Sequence, residues 1–269
     1  MELNKNRKTI YYIILTAMFT ALTFVGTYVS IPLGISSKIH LGNFVCIIAG
    51  LLCGGLIGGI SGALGMGLND IFLYGIGRKD IIIRTFIVKF IVGFVAGVLF
   101  RYLVKKEKKI GVHFIILSSI TFVLFLISLI LYIINGEKTI IGSLTLKNSL
   151  LLVISLGVIA SFFLIVSIFY SKISNLQKYV LSACSIACAI NILLEFFLKI
   201  PLKMMFASMS FEAATIYATS SLPSALLTAI ITTLAISLIY IPVYFATRRF
   251  NKLDNLYEKI QKITSLEKK

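Results

Sequence analysis

The sequence predicts an all-α integral membrane protein of about eight spans, and three observations carry that prediction. Of its 269 residues, 58% are hydrophobic and only 13% charged, with a mean hydropathy of +1.00. Apolar runs of about 20 residues recur along the chain, the length needed to cross a bilayer core. The basic residues gather between those runs: 17 of the 26 Lys and Arg fall at 5–8, 101–109, 172 and 178, and 248–269. Placed on one side, these clusters satisfy the positive-inside rule, with both termini cytoplasmic. The net charge of +16 is then a matter of orientation and of contact with anionic lipid, and no nucleic-acid partner is expected.

The expected spans are about 9–29, 43–54, 56–75, 84–104, 110–134, 149–171, 178–199 and 223–246. The first is long and lacks a small-residue cleavage site, so it reads as a span rather than a cleaved signal. It carries Ala17-x-x-x-Ala21, whose small residues share one helix face and leave a flat groove for another helix. The second and third form a glycine-rich hairpin joined at Gly54-Gly55. The second is short for a crossing, so it leans on its neighbour or its loop dips into the membrane. The seventh ends near Pro201, and Ser220 or Ser221 followed by Pro223 starts the eighth. The outer loops are then 30–42, 76–83, 135–148 and 200–222. The last holds Met204, Met205, Phe206, Met209, Phe211 and Tyr217; it is either a lid or extra helix packed on the bundle. In 248–269, Phe250, Leu253, Leu256, Ile260, Ile263 and Leu266 recur at helical spacing. That pattern fits an amphipathic helix on the inner surface or against a partner, or a solvated basic tail.

Six polar residues fall inside apolar segments: Asn43, Asn69, Asp70, Lys89, Asn191 and Glu195. A lone charge at such depth costs roughly 3 kcal/mol, so partners are expected. Asp70, Lys89 and Glu195 fall at similar depth on the outer side. Either Asp70 and Lys89 form a structural ion pair, or the group lines a solute pocket. The pocket is preferred, because a fixed pair leaves Asn69, Asn191 and Glu195 unexplained. Lys38 and His40 precede the second span, where His40 either touches solute or is a solvated loop residue. Tyr74 and Tyr28 sit at the outer interface, either as belt anchors or, for stacking, against a heterocycle. Arg78 and Lys79 are read as solvated, with a second role in attracting an anion. The candidate solute-binding set is therefore Lys38, His40, Asn43, Asn69, Asp70, Tyr74, Lys89, Asn191, Glu195 and Tyr217.

No GxxxxGK[ST], HExxH or GxSxG motif is present, so no enzyme activity is expected and any pump must draw energy from a partner or an ion gradient. The four cysteines lie in apolar runs; Cys184 and Cys188 are one turn apart without His or Asp, and packing explains them better than a metal. No metal or other cofactor is expected.

In its order of motifs the chain resembles the substrate-binding S component of energy-coupling factor (ECF) vitamin transporters, in the branch named for riboflavin uptake. The resemblance rests on Ala17-x-x-x-Ala21, Ile31-Pro32, Ile39-His40-Leu41-Gly42-Asn43, Gly62-Ala63-Leu64-Gly65, Leu68-Asn69-Asp70, Arg84-Thr85-Phe86-Ile87-Val88-Lys89 with Gly93 and Gly97, and Leu222-Pro223-Ser224. It covers about 9–104 and 178–247. It implies high-affinity binding of a vitamin or precursor at the outer face of a bacterial plasma membrane. Docking on a transmembrane scaffold (T) subunit that carries two cytoplasmic ATPases would follow, with Ala17 and Ala21 on the docking face. It also implies the division 1–108 for the first four core helices, 109–171 for an inserted transmembrane hairpin, 172–247 for the last two core helices, and 248–269 for the tail. The alternatives are a stand-alone ion-coupled transporter of a small polar metabolite and a membrane enzyme or assembly factor. Inverted repeats or broken helices would favour the transporter, and neither is visible.

Overall fold

A computed structural model describes residues 5–32, 38–107, 111–136, 138–141, 144–147 and 150–246; of 5–8, 32, 38–39, 138–141 and 144–147 only the backbone is described. The tail 248–269 lies outside the described residues. The chain folds as α1 (Lys5–Tyr28), β1 (Ser30–Pro32), β2 (Lys38–His40), α2 (Gly42–Cys53), α3 (Gly55–Tyr74), α4 (Lys79–Lys106), α5 (Val112–Asn135), β3 (Lys138–Ile141), β4 (Leu144–Lys147), α6 (Leu150–Phe169), α7 (Asn175–Ala207), α8 (Phe211–Ser220) and α9 (Leu222–Ala246). Among the described residues, seven helical segments are long and apolar enough to cross a membrane, with α8 and α9 forming one of them. As the sequence anticipated, α2 has only 12 residues, too few to cross alone; the chain before it dips in beside α1, where the Leu41 N–H donates to the Gly26 carbonyl, so the two together carry the chain from one side to the other.

Glycine decides how α2, α3 and α4 pack. A Cβ at Gly50 would lie 2.5 Å from the Gly93 carbonyl oxygen, and one at Gly58 would lie 2.5 Å from the Gly50 Cα. The three backbones touch, so no side chain fits between them. The α2–α3 connection turns at Gly54, whose φ of +106° strains any other residue. The Arg101 guanidinium of α4 closes over it. Introducing a side chain at Gly93, which faces Gly58 and the Cys46 sulfur, is overpacking of the kind that costs about 1–3 kcal/mol. Gly93→Ala lowers the thermal midpoint in detergent and Gly93→Leu prevents recovery of a monodisperse protein, whereas Gly77→Ala, with open space around it, leaves the midpoint unchanged.

One expectation about these elements is corrected, and one alternative left open for 200–222, extra helix packed on the bundle, is the one that forms. The seventh span does not stop at Pro201: α7 runs 33 residues to Ala207 with the proline inside it. A proline removes one helical hydrogen bond, but the turns beyond it are held by tertiary contacts. Lys203 is buried and pairs with Asp80 of α4 at 2.7 Å. The 200–222 segment is not a loop but the end of α7 and α8. The Ser210 side chain caps α8 by accepting from the Ala213 N–H, and α8 packs against α7, α9 and β4 with Ala214, Thr215, Ala218 and Thr219 buried.

The apolar core lies where α4 ends and α5 and α7 begin. Phe100, Leu103, Val104, Phe114, Leu176 and Tyr179 are buried there, and Phe100 meets Tyr240 of α9 edge-on with ring centroids 5.4 Å apart. The hairpin α5–α6 packs on itself and, through α6, on α9, while Ser118 donates to the Ala160 carbonyl at 3.0 Å. Its outward face is a continuous apolar surface, including Ile115, Phe122, Ile130, Leu164 and Ile168, as a lipid-facing surface requires. The opposite end of the bundle is polar.

Candidate functional site

That polar end is built by two antiparallel helices. On α7, Asn191, Glu195, Lys199 and Lys203 recur every four residues and so share one face. Against them α4 presents Lys89, Thr85, Arg84 and Asp80, each nearer the helix start. The two stripes interlock. The Lys89 ammonium donates to Asn191 Oδ1 at 2.7 Å and pairs with Glu195 Oε1 at 3.0 Å. The Arg84 Nε lies 2.9 Å from Glu195 Oε2. One turn further out Lys203 pairs with Asp80, which Arg78 also contacts at 3.2 Å. On the third side, Asp70 of α3 accepts a 2.6 Å hydrogen bond from the Thr85 hydroxyl. The Lys199 ammonium donates to the Ser221 hydroxyl between α8 and α9. Tyr217 of α8 lies beneath both lysines, its ring 4.3 Å from Lys203 Nζ and 5.7 Å from Lys199 Nζ. Lys89, Lys199, Lys203, Asp70 and Asp80 are all buried. Charges so placed are tolerated only in company.

These groups surround a cavity of about 560 Å³, inside the range of small-molecule sites. His40, Asn43, Asp70, Tyr74, Lys89, Asn191, Glu195 and Tyr217 line it. The β1–β2 ribbon sets His40 opposite Ser30, and Asn43 enters from the first turn of α2. Asn69 is different: it is fully buried but does not line the cavity, because consecutive helical residues point about 100° apart. Lys38 falls in β2, and its side chain is outside the described residues. The less favoured alternative, an Asp70–Lys89 pair, is not what forms: Lys89 takes Glu195 and Asn191, because α7 offers it both an acid and an amide.

Arg84, Thr85, Lys199 and Ser221 also line the cavity, and the residue-by-residue reading missed them as site residues. The spacing of four from Asn191 through Glu195 to Lys199, all inside the expected seventh span, is a usable signal; only Lys203 is hidden by reading Pro201 as the helix end. Arg84 was hidden by the expected start of the fourth span; α4 begins five residues earlier, at Lys79. Arg78 is about half exposed, as a solvated residue should be, although it reaches Asp80.

A second concavity lies on the flank of the bundle. Ala17 and Ala21 are exposed on α1 and border an apolar groove of about 1280 Å³ shared with Leu56, Ile60 and Leu64 of α3. The four cysteines are free and three of them are buried; Cys184 contacts the Thr233 hydroxyl at 3.7 Å, a packing role.

No curated protein and no solved structure matches this chain. One family model does: that of the ECF-type riboflavin transporter, S component, over residues 7–178. The matched stretch runs from α1 to the first turn of α7, and so carries the α4 half of the site and the α1 groove. It also takes in 109–171, the segment set apart above as an insertion. The family is one of transporter subunits rather than enzymes, and it assigns a multi-pass membrane location and a substrate-binding role in vitamin uptake. With a match over more than half its length, the chain belongs to the ECF-type riboflavin transporter S component family.

Proposed function

We propose that this chain binds a vitamin or vitamin precursor in the 560 Å³ cavity from the outer face of the membrane. It then delivers the solute for ATP-driven import through a T subunit and a pair of ATPases. The observation that carries this reading is the convergence of acid, base, amide and aromatic groups from α2, α3, α4, α7 and α8 on one half-open cavity. A fold needs no such cavity for stability, and interior gaps are costly unless occupied. The orientation with both termini inside places the cavity outward, since the basic clusters then lie in the cytoplasm. In this reading, 1–108 and 172–247 form the binding core, 109–171 is an added hairpin, and the groove beside Ala17 and Ala21 receives the T subunit.

Uptake by cells expressing the chain with and without the ATPase–T module tests the proposal. Uptake that needs the module and survives an uncoupler supports it. Uptake that survives loss of the module but is abolished by the uncoupler would establish a stand-alone ion-coupled transporter instead.

A further inference from the structure

Among the described residues, the charges in and beside the cavity do not balance. Five cationic side chains, Arg78, Arg84, Lys89, Lys199 and Lys203, stand in the cluster with three carboxylates, Asp70, Asp80 and Glu195. Both Lys89 and Arg84 share Glu195, and both Arg78 and Lys203 share Asp80. Lys199 is 6% exposed and has no carboxylate partner among the described residues. It shares the cavity wall with Arg84, Lys89 and the single carboxylate of Glu195, and the Tyr217 ring with Lys203. Its ammonium spends one of three donors on Ser221, which leaves two. Arg84 lines the same space; its Nε approaches Glu195 Oε2 to 2.9 Å yet has no hydrogen-bond partner among the described residues, so the guanidinium keeps donors for a ligand. A guanidinium fork beside an ammonium, in a site with excess positive charge, is a donor set for a carboxylate or phosphate. The buried Asn43 Oδ1, which also lines the cavity, has no hydrogen-bond partner among the described residues and can accept an N–H or O–H from the neutral part of the same solute.

From this we infer that the solute is an acid: a compact molecule whose carboxylate or phosphate is received by Lys199 and Arg84. The inference rests on the proposed role of the cavity as the solute site and narrows its ligand class. An isolated positive excess at this depth is costly, and an anionic ligand offsets it only while bound.

The test uses the purified full chain in detergent and matched probe pairs: nicotinate against nicotinamide, pantothenate against pantothenol, pyridoxal 5′-phosphate against pyridoxal, and riboflavin 5′-phosphate against riboflavin. Affinities are measured for wild type, Lys199→Met, Lys199→Arg and Arg84→Gln, each first shown to be monodisperse. The expected result is that at least one acid binds about tenfold to a hundredfold more tightly than its neutral partner, the contribution of a charged hydrogen bond. Lys199→Met and Arg84→Gln close that gap, and Lys199→Arg preserves most of it. Whether the bound acid is a carboxylate or a phosphate follows from which pair responds. If neutral members bind as well as acids, or no acid binds while riboflavin does, the ligand class is overturned and the solute-binding role stands. If no probe of either kind binds and the protein retains nothing through purification, both fall.

Discussion

Glu195→Gln removes solute binding, with an expected loss of at least a hundredfold in affinity. Glu195 is the one carboxylate that holds both Lys89, at 3.0 Å, and Arg84, at 2.9 Å. Its loss leaves two cations in a largely buried site without a counter-charge. Removing one partner of a buried pair costs about 3–5 kcal/mol; the figure here lies toward the lower end, because Glu195 keeps 17% exposure. Most of that cost appears as displacement of Lys89 and Arg84 from the cavity wall, so affinity falls together with thermal stability. The triple change Glu195→Leu with Lys89→Met and Arg84→Met separates the two effects. It removes the acid together with both of its cations, and apolar replacements of buried ionic groups restore stability without restoring their polar contacts. Titration and thermal melts of the same preparations check this: stability returns toward wild type in the triple variant, and binding does not.

Ala17→Trp combined with Ala21→Trp abolishes uptake and leaves solute affinity within about twofold of wild type. Both alanines are exposed on α1 and border the apolar groove shared with α3, on the flank of the bundle rather than in the polar cavity. Small residues four apart let a second helix approach closely, and two indoles fill that space. Neither residue packs in the core, so the substitutions cost little stability. Pull-down of the ATPase–T module by the tagged chain, alongside a binding titration, checks the separation. Loss of both properties would mean that the groove and the cavity are not independent.

A third contact tests the polar end of the bundle. Lys203 joins α4, α7 and α8 through Asp80 and the Tyr217 ring. Lys203→Met leaves Asp80 with the half-exposed Arg78 alone, so the melting transition shifts down by about the 3 kcal/mol expected of a broken buried pair. Asp80→Asn with Lys203→Met recovers part of that loss.

Most of the fold was legible because lipid imposes long apolar segments and loops must carry the charges. Each predicted span became a helix, and the shortness of α2 was visible in its length. Legibility failed where tertiary contact overrode a local rule. Pro201 reads as a stop, yet the Lys203–Asp80 pair holds the helix beyond it. That error concealed Lys203 and the full length of the stripe Asn191, Glu195, Lys199 and Lys203, whose lysines are two of the cluster's five cations. The intramembrane polar residues were recognisable singly, since each is conspicuous against an apolar background. Their pairing was not: Asp70 and Lys89 have complementary charge and similar depth, but only the structure shows α7 delivering Glu195 and Asn191 to Lys89. Asn69 and Asp70 are neighbours in sequence, and the helical turn between them decides which one faces the cavity.

The most direct measurement is the mass spectrum of small molecules released on denaturing the purified protein, from wild type and Glu195→Gln prepared side by side from cells grown in rich medium. The account predicts a single vitamin-sized compound at close to one per chain in the wild type and its loss from the variant. A wild-type protein that releases nothing and binds no vitamin added back, or a compound retained equally by both proteins, would contradict it.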